Sequence, residues 1–130
     1  AEDGIRDLVR SRGLGDVYKR QVWALLKHLG RRGYQSIVKK CLELTLTLAN
    51  EIQQIADLQL VIKPTMNVIG IKSDTVDVNL VFQELKKRGW GISLFDGYLR
   101  IVIMPHTKLE NIKNLVADIQ EILNFIKSEN

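Results

Sequence analysis

The chain has 130 residues, of which 45% are hydrophobic and 26% charged, with a formal net charge of +4. That length and balance fit one soluble globular domain with a modest core. No apolar run approaches the roughly 20 residues a membrane helix needs. The opening Ala1-Glu2-Asp3-Gly4 lacks the basic-then-apolar pattern of a secretory signal. Cys41 is the only cysteine, which excludes an internal disulfide and a cysteine metal cluster and suits a reducing, cytoplasmic setting. The positive charge is spread among acidic residues rather than gathered in a stripe with aromatics to stack on bases, so nucleic acid is not an expected partner.

Residues 1–21 stand apart. They carry scattered charges, Gly4, Gly13 and Gly15, and no sustained apolar period. Ile5–Arg10 could form a helical turn or two. Asp16-Val17-Tyr18-Lys19-Arg20-Gln21 resembles the in-frame translation of a DNA adapter used in sequencing libraries. Residues 1–21 are therefore expected to be a non-native or disordered leader and are set aside from fold reasoning. A natural, poorly ordered extension is the alternative.

From Val22 the pattern becomes regular. Val22–Gly30 reads as the end of a helix, with Gly30 as its left-handed terminator. A long helix follows over about Gly33 to Ala56, with Ile37, Val38, Cys41, Leu42, Leu44, Leu48, Ile52 and Ile55 forming its apolar stripe. The period then changes to two. Leu58, Leu60 and Ile62 alternate with Gln59, Val61 and Lys63 in a strand closed by Pro64, and Asn67–Lys72 makes a second strand beyond the Pro64-Thr65-Met66 turn. Asp74 is the expected cap of the next helix, whose apolar side is Val78, Val81, Phe82 and Leu85 and whose end is Gly89. Lys86-Lys87-Arg88 falls at that end, where cations complement the helix dipole. Trp90–Phe95 and Tyr98–Met104 are two more strands, joined by the tight-turn pair Asp96-Gly97. The last helix opens with capping-box spacing at Thr107-Lys108-Leu109-Glu110. Its apolar side runs through Leu109, Ile112, Leu115, Val116, Ile119, Ile122, Leu123 and Ile126. The predicted class is α+β: a small antiparallel sheet with helices on one face.

Catalytic patterns are sparse. His28 and His106 are far apart and outside any metal-ligand spacing. There is no nucleophile elbow, phosphate-binding loop or dinucleotide fingerprint. Cys41 lies on an apolar helix stripe and reads as a packed core thiol. Arg100 is the odd residue. In Tyr98–Met104 the odd-numbered Leu99, Ile101 and Ile103 suit the helix-covered face, so Arg100 points the other way with Tyr98, Val102 and Met104. An arginine in that company implies an anionic partner on a second surface, because its fork matches a carboxylate. Two partners fit: an Asp or Glu of a neighbouring domain, or a substrate carboxylate.

Four stretches resemble the pyridoxal-phosphate-dependent group II decarboxylases, most of all the archaeal L-tyrosine/L-aspartate type. They are Val22–Tyr34 at the join of large and small domains, Lys63-Pro64-Thr65-Met66-Asn67-Val68-Ile69, Leu85–Ser93 with its Arg-Gly-Trp step, and Leu99-Arg100-Ile101-Val102-Ile103-Met104-Pro105-His106. The resemblance covers residues 22–130 and implies the C-terminal small domain of a fold-type-I enzyme that is a homodimer. The Schiff-base lysine and the aspartate on the pyridine nitrogen would lie upstream, in a large domain that binds pyridoxal 5'-phosphate. No catalytic or cofactor-binding residue is therefore carried onto this chain, which would be inactive alone. The resemblance implies a substrate-binding role for Arg100 and, with its role open, for His106. Decarboxylation needs the departing carboxylate perpendicular to the cofactor ring, so Arg100 would set orientation, hold a side-chain carboxylate or act through water. The segment Leu94–Tyr98 is shorter than in close relatives, which leaves tyrosine against aspartate open. The rivals are another fold-type-I enzyme, of the sphingosine-phosphate-lyase or cysteine-desulfurase kind, and a non-enzymatic α+β binding module.

Overall fold

A computed structural model describes the backbone of residues 2–129 and the side chains of residue 17 and residues 19–129. The elements in chain order are α1 (Glu2–Gln53), β1 (Gln59–Leu60), β2 (Val68–Lys72), α2 (Val78–Lys87), β3 (Ser93–Phe95), β4 (Tyr98–Val102) and α3 (Leu109–Glu129). The chain divides into two compact units, residues 1–37 and 38–130.

The first unit is helical from Glu2, well beyond the turn or two expected over Ile5–Arg10. Gly30 breaks the helical geometry with φ 66° and ψ 178°, a conformation that a residue without a Cβ adopts freely. The expected stop at Gly30 is thus an interruption, after which the helix resumes. Val22, Trp23, Leu25 and Leu26 are each about half exposed or more.

In the second unit the sheet order is β1-β2-β4-β3 and every pairing is antiparallel. One face of the sheet is fully covered. Ile69 and Ile71 of β2, Leu99 and Ile101 of β4, and Ile103 beyond it are buried with Leu48 and Ile52 of α1, Val78, Val81 and Leu85 of α2, and the Ile112-to-Ile126 stripe of α3. Burial of these side chains is the main stabilising term. The predicted α3 stripe holds except at Leu109, which sits in the first turn and is exposed. In α1, Cys41, Leu44, Leu48 and Ile52 are buried, whereas Val38 is exposed. Thr45 is buried too, and its hydroxyl donates to the Cys41 carbonyl at 2.7 Å, which satisfies it inside the core.

Local chemistry shifts several predicted boundaries. α1 ends at Gln53 rather than Ala56, because Ile55 and Leu58 donate three residues back, to Ile52 and Ile55, in tightened turns. The first strand shrinks to Gln59–Leu60, and Ile62 is 73% exposed, so the predicted alternation fails after Leu60. The cap of α2 is Asp77 and not Asp74: the Asp77 carboxylate accepts from the Asn79 N–H at 2.9 Å. Ser73 holds the preceding loop by accepting from the Val76 N–H and donating to the Asp57 carbonyl. At the start of α3 the Lys108 N–H donates to Asn111 Oδ1 at 2.8 Å. Half of a capping box therefore forms one residue later than predicted, with Asn111 in the place assigned to Glu110 and Lys108, which has no side-chain acceptor, in the place assigned to Thr107.

The C-terminus of α2 shows how Arg88-Gly89-Trp90 acts as a unit. Gly89 has φ 89°, the Trp90 N–H donates to the Leu85 carbonyl and the Gly89 N–H to that of Lys86. This is a Schellman motif, which needs the left-handed residue. It throws Arg88 and Trp90 onto α3, where Arg88 donates to Asp118 and Glu121 at 3.0 Å and Trp90 Nε1 donates to Asp118 at 2.7 Å. Lys87 pairs with Glu84, and Lys86 lies over the Phe82 ring. The densest basic cluster is thus engaged in structural contacts.

Two outcomes follow from this packing. Leu85→Ala should lower unfolding free energy by about 2–5 kcal/mol and Trp90→Phe by about 1 kcal/mol in urea titrations. Asp57 is a pH-sensitive anchor: the Lys127 ammonium, followed by the Thr75 hydroxyl, holds its carboxylate below the ordinary range despite some desolvation. A lowered folded value gives stability that is present above the ordinary carboxylate range and is lost as pH falls through the folded value. Asp57→Asn should therefore be destabilised at neutral pH, with the gap from the parent closing as acid is added.

Candidate functional site

The uncovered face of the sheet is built by strand alternation. Along β4, Leu99 and Ile101 are buried while Arg100 and Val102 are exposed. β2 repeats the pattern, with Val68 and Lys72 outward and Ile69 and Ile71 inward. Phe95, Val102 and Met104 add exposed apolar surface on that outer side, Phe95 at 58%. Apolar side chains gathered on one face in this way suit a surface for contact with another body. The outward placement of Arg100 agrees with the orientation read from the sequence.

Register fixes the neighbours of Arg100. Gly70 on β2 and Ser93 on β3 are its direct partners. Cross-strand partners share a face, so the outer row across the sheet runs Val61, Gly70, Arg100, Ser93, with the Val61 N–H donating to the Gly70 carbonyl at 2.9 Å. A Cβ on Gly70 would lie 3.2 Å from both the Tyr98 ring and the Val61 side chain. The space over Gly70 is thus taken by those two groups. Asp96 and Gly97 both have positive φ, at 49° and 82°, the geometry of the predicted tight hairpin turn. That turn sets the Phe95 ring edge-on to Tyr98, with centroids 5.9 Å apart. Among the described residues Arg100 has no ion-pair partner.

His106 lies elsewhere. It lines a cleft of about 330 Å³ with Trp90, Ile92, Met104, Thr107 and Asn111 at the end of the sheet, and Arg100 is not among the lining residues. The structure therefore does not bring the two predicted site residues together. The start of α3 is closed by Asn111 and by Thr107, whose hydroxyl accepts from the Met104 N–H, so capping falls to them rather than to His106. Cys41 is buried, as a core thiol should be. The sequence reading missed Gly70 and Ser93. A glycine inside a strand was the available signal for the first, since it often marks a close approach of neighbouring groups. Nothing in the local pattern singled out Ser93.

No protein-family model matches the chain. Among curated proteins it is 44% identical over 102 residues to the probable L-aspartate decarboxylase of Pyrococcus abyssi and 41% over 102 residues to that of Thermococcus gammatolerans, in each case 78% of this chain and 26% of the relative. It is 38% identical over 109 residues to the L-tyrosine/L-aspartate decarboxylase of Methanocaldococcus jannaschii, 82% of this chain and 26% of the relative. Two solved structures share the fold. The sphingosine-1-phosphate lyase of Burkholderia pseudomallei has a TM-score of 0.73 at 25% identity over 78% of this chain and 24% of its own. The tryptophan decarboxylase of Catharanthus roseus has a TM-score of 0.71 at 13% identity, over 81% and 25%. The fold is that of the small domain of fold-type-I enzymes. Over the matched segment the chain is similar to the archaeal L-aspartate and L-tyrosine/L-aspartate decarboxylases. It spans about a quarter of the length of those relatives.

Neither of two clefts among the described residues fits pyridoxal phosphate. The larger cleft offers no lysine for the aldehyde and no acid for the pyridine nitrogen. In the smaller one, of about 200 Å³, Lys113 and Glu51 belong to the helical layer, away from the open face.

If Arg100 were a structural ion-pair residue of this domain, removing it would cost stability. With no partner here, Arg100→Ala should change unfolding free energy by less than about 0.5 kcal/mol in chemical denaturation.

Proposed function

We propose that this chain is the carboxy-terminal small domain of a pyridoxal-phosphate-dependent L-amino-acid decarboxylase that converts tyrosine or aspartate to the amine and carbon dioxide. The observation that carries the reading is the open sheet face with an outward, unpartnered Arg100 in a segment that matches a quarter of such enzymes. The rest of the enzyme would supply the large domain, the cofactor and its lysine, and would pack on this face. The intact protein would be a cytoplasmic homodimer. Residues 1–21 would be a leader foreign to it.

In this reading Arg100 binds and orients a carboxylate, and its backbone neighbours keep the guanidinium in place. Once the large domain excludes water from the face, a charge-assisted fork to that carboxylate strengthens. His106 borders the cleft beside Trp90 and would contact substrate only through a surface supplied by the large domain.

Recovery of the upstream gene tests the assignment. A histidine-lysine pair some tens of residues before Val22 is the expected finding, and a native stop codon there contradicts it. In the intact enzyme Arg100→Ala should lower kcat/KM by about tenfold to a hundredfold, mostly through KM, as loss of a hydrogen bond to a charged group predicts. The 130-residue chain mixed with pyridoxal phosphate should give no visible absorbance that survives dialysis. A retained band would place the reactive lysine here and overturn the reading.

A further inference from the structure

The two flanks of Arg100 are not equivalent. Toward β2 its partner is Gly70, and the room a side chain would occupy there is filled by the Tyr98 ring and Val61, each 3.2 Å from an ideal Cβ. Lys72, the other cation on this face, lies beyond Gly70 along β2, in line with Tyr98. Toward β3 the partner is Ser93, which is exposed. Direct partners in an antiparallel pair bring their Cβ atoms to about 4.5–5.5 Å, close enough for a hydroxyl and a guanidinium to bind one anion together. A hydroxyl is a donor to a carboxylate, and a second donor adds to the arginine fork without adding charge.

We propose that Ser93 is a second substrate-contact residue, whose hydroxyl donates to the same carboxylate that Arg100 holds, and that the carboxylate approaches Arg100 from the β3 side. This rests on the reading of Arg100 as a carboxylate contact. It deepens that reading by selecting a single carboxylate on the Ser93 flank over a dicarboxylate shared between Arg100 and Lys72.

The test uses the full 130-residue chain, because Arg100, Ser93 and Lys72 are all exposed and their variants leave the core intact. Sodium acetate is titrated against sodium chloride at matched ionic strength while the Arg100 side-chain Nε–H and the Ser93 and Gly70 amides are followed by NMR. Acetate should produce a saturable shift that chloride does not. Arg100→Ala should abolish it, Ser93→Ala should raise the apparent Kd about threefold, in line with one exposed hydrogen bond, and Ser93→Thr, which keeps the hydroxyl, should restore parental binding. If Arg100→Ala abolishes binding while Ser93→Ala matches the parent, or if Ser93→Thr is as weak as Ser93→Ala, the Ser93 assignment is overturned and the Arg100 reading stands. Weakening by Lys72→Gln in place of Ser93→Ala moves the anion to the other flank and also overturns it. No acetate-specific shift, or one that survives Arg100→Ala, overturns both.

Discussion

The structure of residues 38–130 depends on a single constraint: its sheet is covered on one face only. Ile69, Ile71, Leu99, Ile101 and Ile103 are almost completely removed from water, and the helices take all of that apolar surface. Strand alternation then leaves no freedom for the residues between them. A slip of one position would bury Arg100 among isoleucines and expose the core, which is too costly to be tolerated. The outward arginine is therefore not an independent feature of the fold. It is the complement of the core.

The same logic separates what holds the domain together from what faces outward. Positive charge is used structurally at the end of α2, where Arg88 and Trp90 share Asp118 with the help of the left-handed Gly89. It is used again where Lys127 pairs with Asp57. Arg100 differs in kind, having no ion-pair partner among the described residues and lying on the face of half-buried Tyr98 and exposed Val102 and Met104. The relatives explain this contrast economically. They are about four times as long as the matched segment, and what remains of them is available to cover an apolar, cationic sheet face.

Much of this was legible in the amino-acid order because it rests on short-range periodicity. The β4 alternation, the α3 stripe and the Asp96-Gly97 turn are each set by neighbours within a few residues, and each appears where expected. What escaped depends on partners distant in sequence. The cap of α2 moved to Asp77 because Ser73 is bound to the Asp57 carbonyl, sixteen residues away. The first strand stopped at Leu60, since alternation alone does not reveal that Ile62 has no covering layer. Gly70 offered a glycine inside a strand as its signal, but the pairing of Gly70 and Ser93 with Arg100 comes from register, which a single sequence does not specify. His106 was grouped with Arg100 because it closes the same family-like run, yet it lines a cleft that Arg100 does not reach once β4 has ended.

The direct test of one-sided covering is thiol accessibility in the native chain. The cysteine introduced by Arg100→Cys should react with a small thiol reagent at close to the rate of an unfolded peptide, while that from Ile101→Cys should react only on unfolding, as slowly as the buried Cys41. Slow modification at position 100 in the 130-residue chain would mean that both faces of the sheet are already covered, and fast modification at position 101 that neither is; either result would contradict the account.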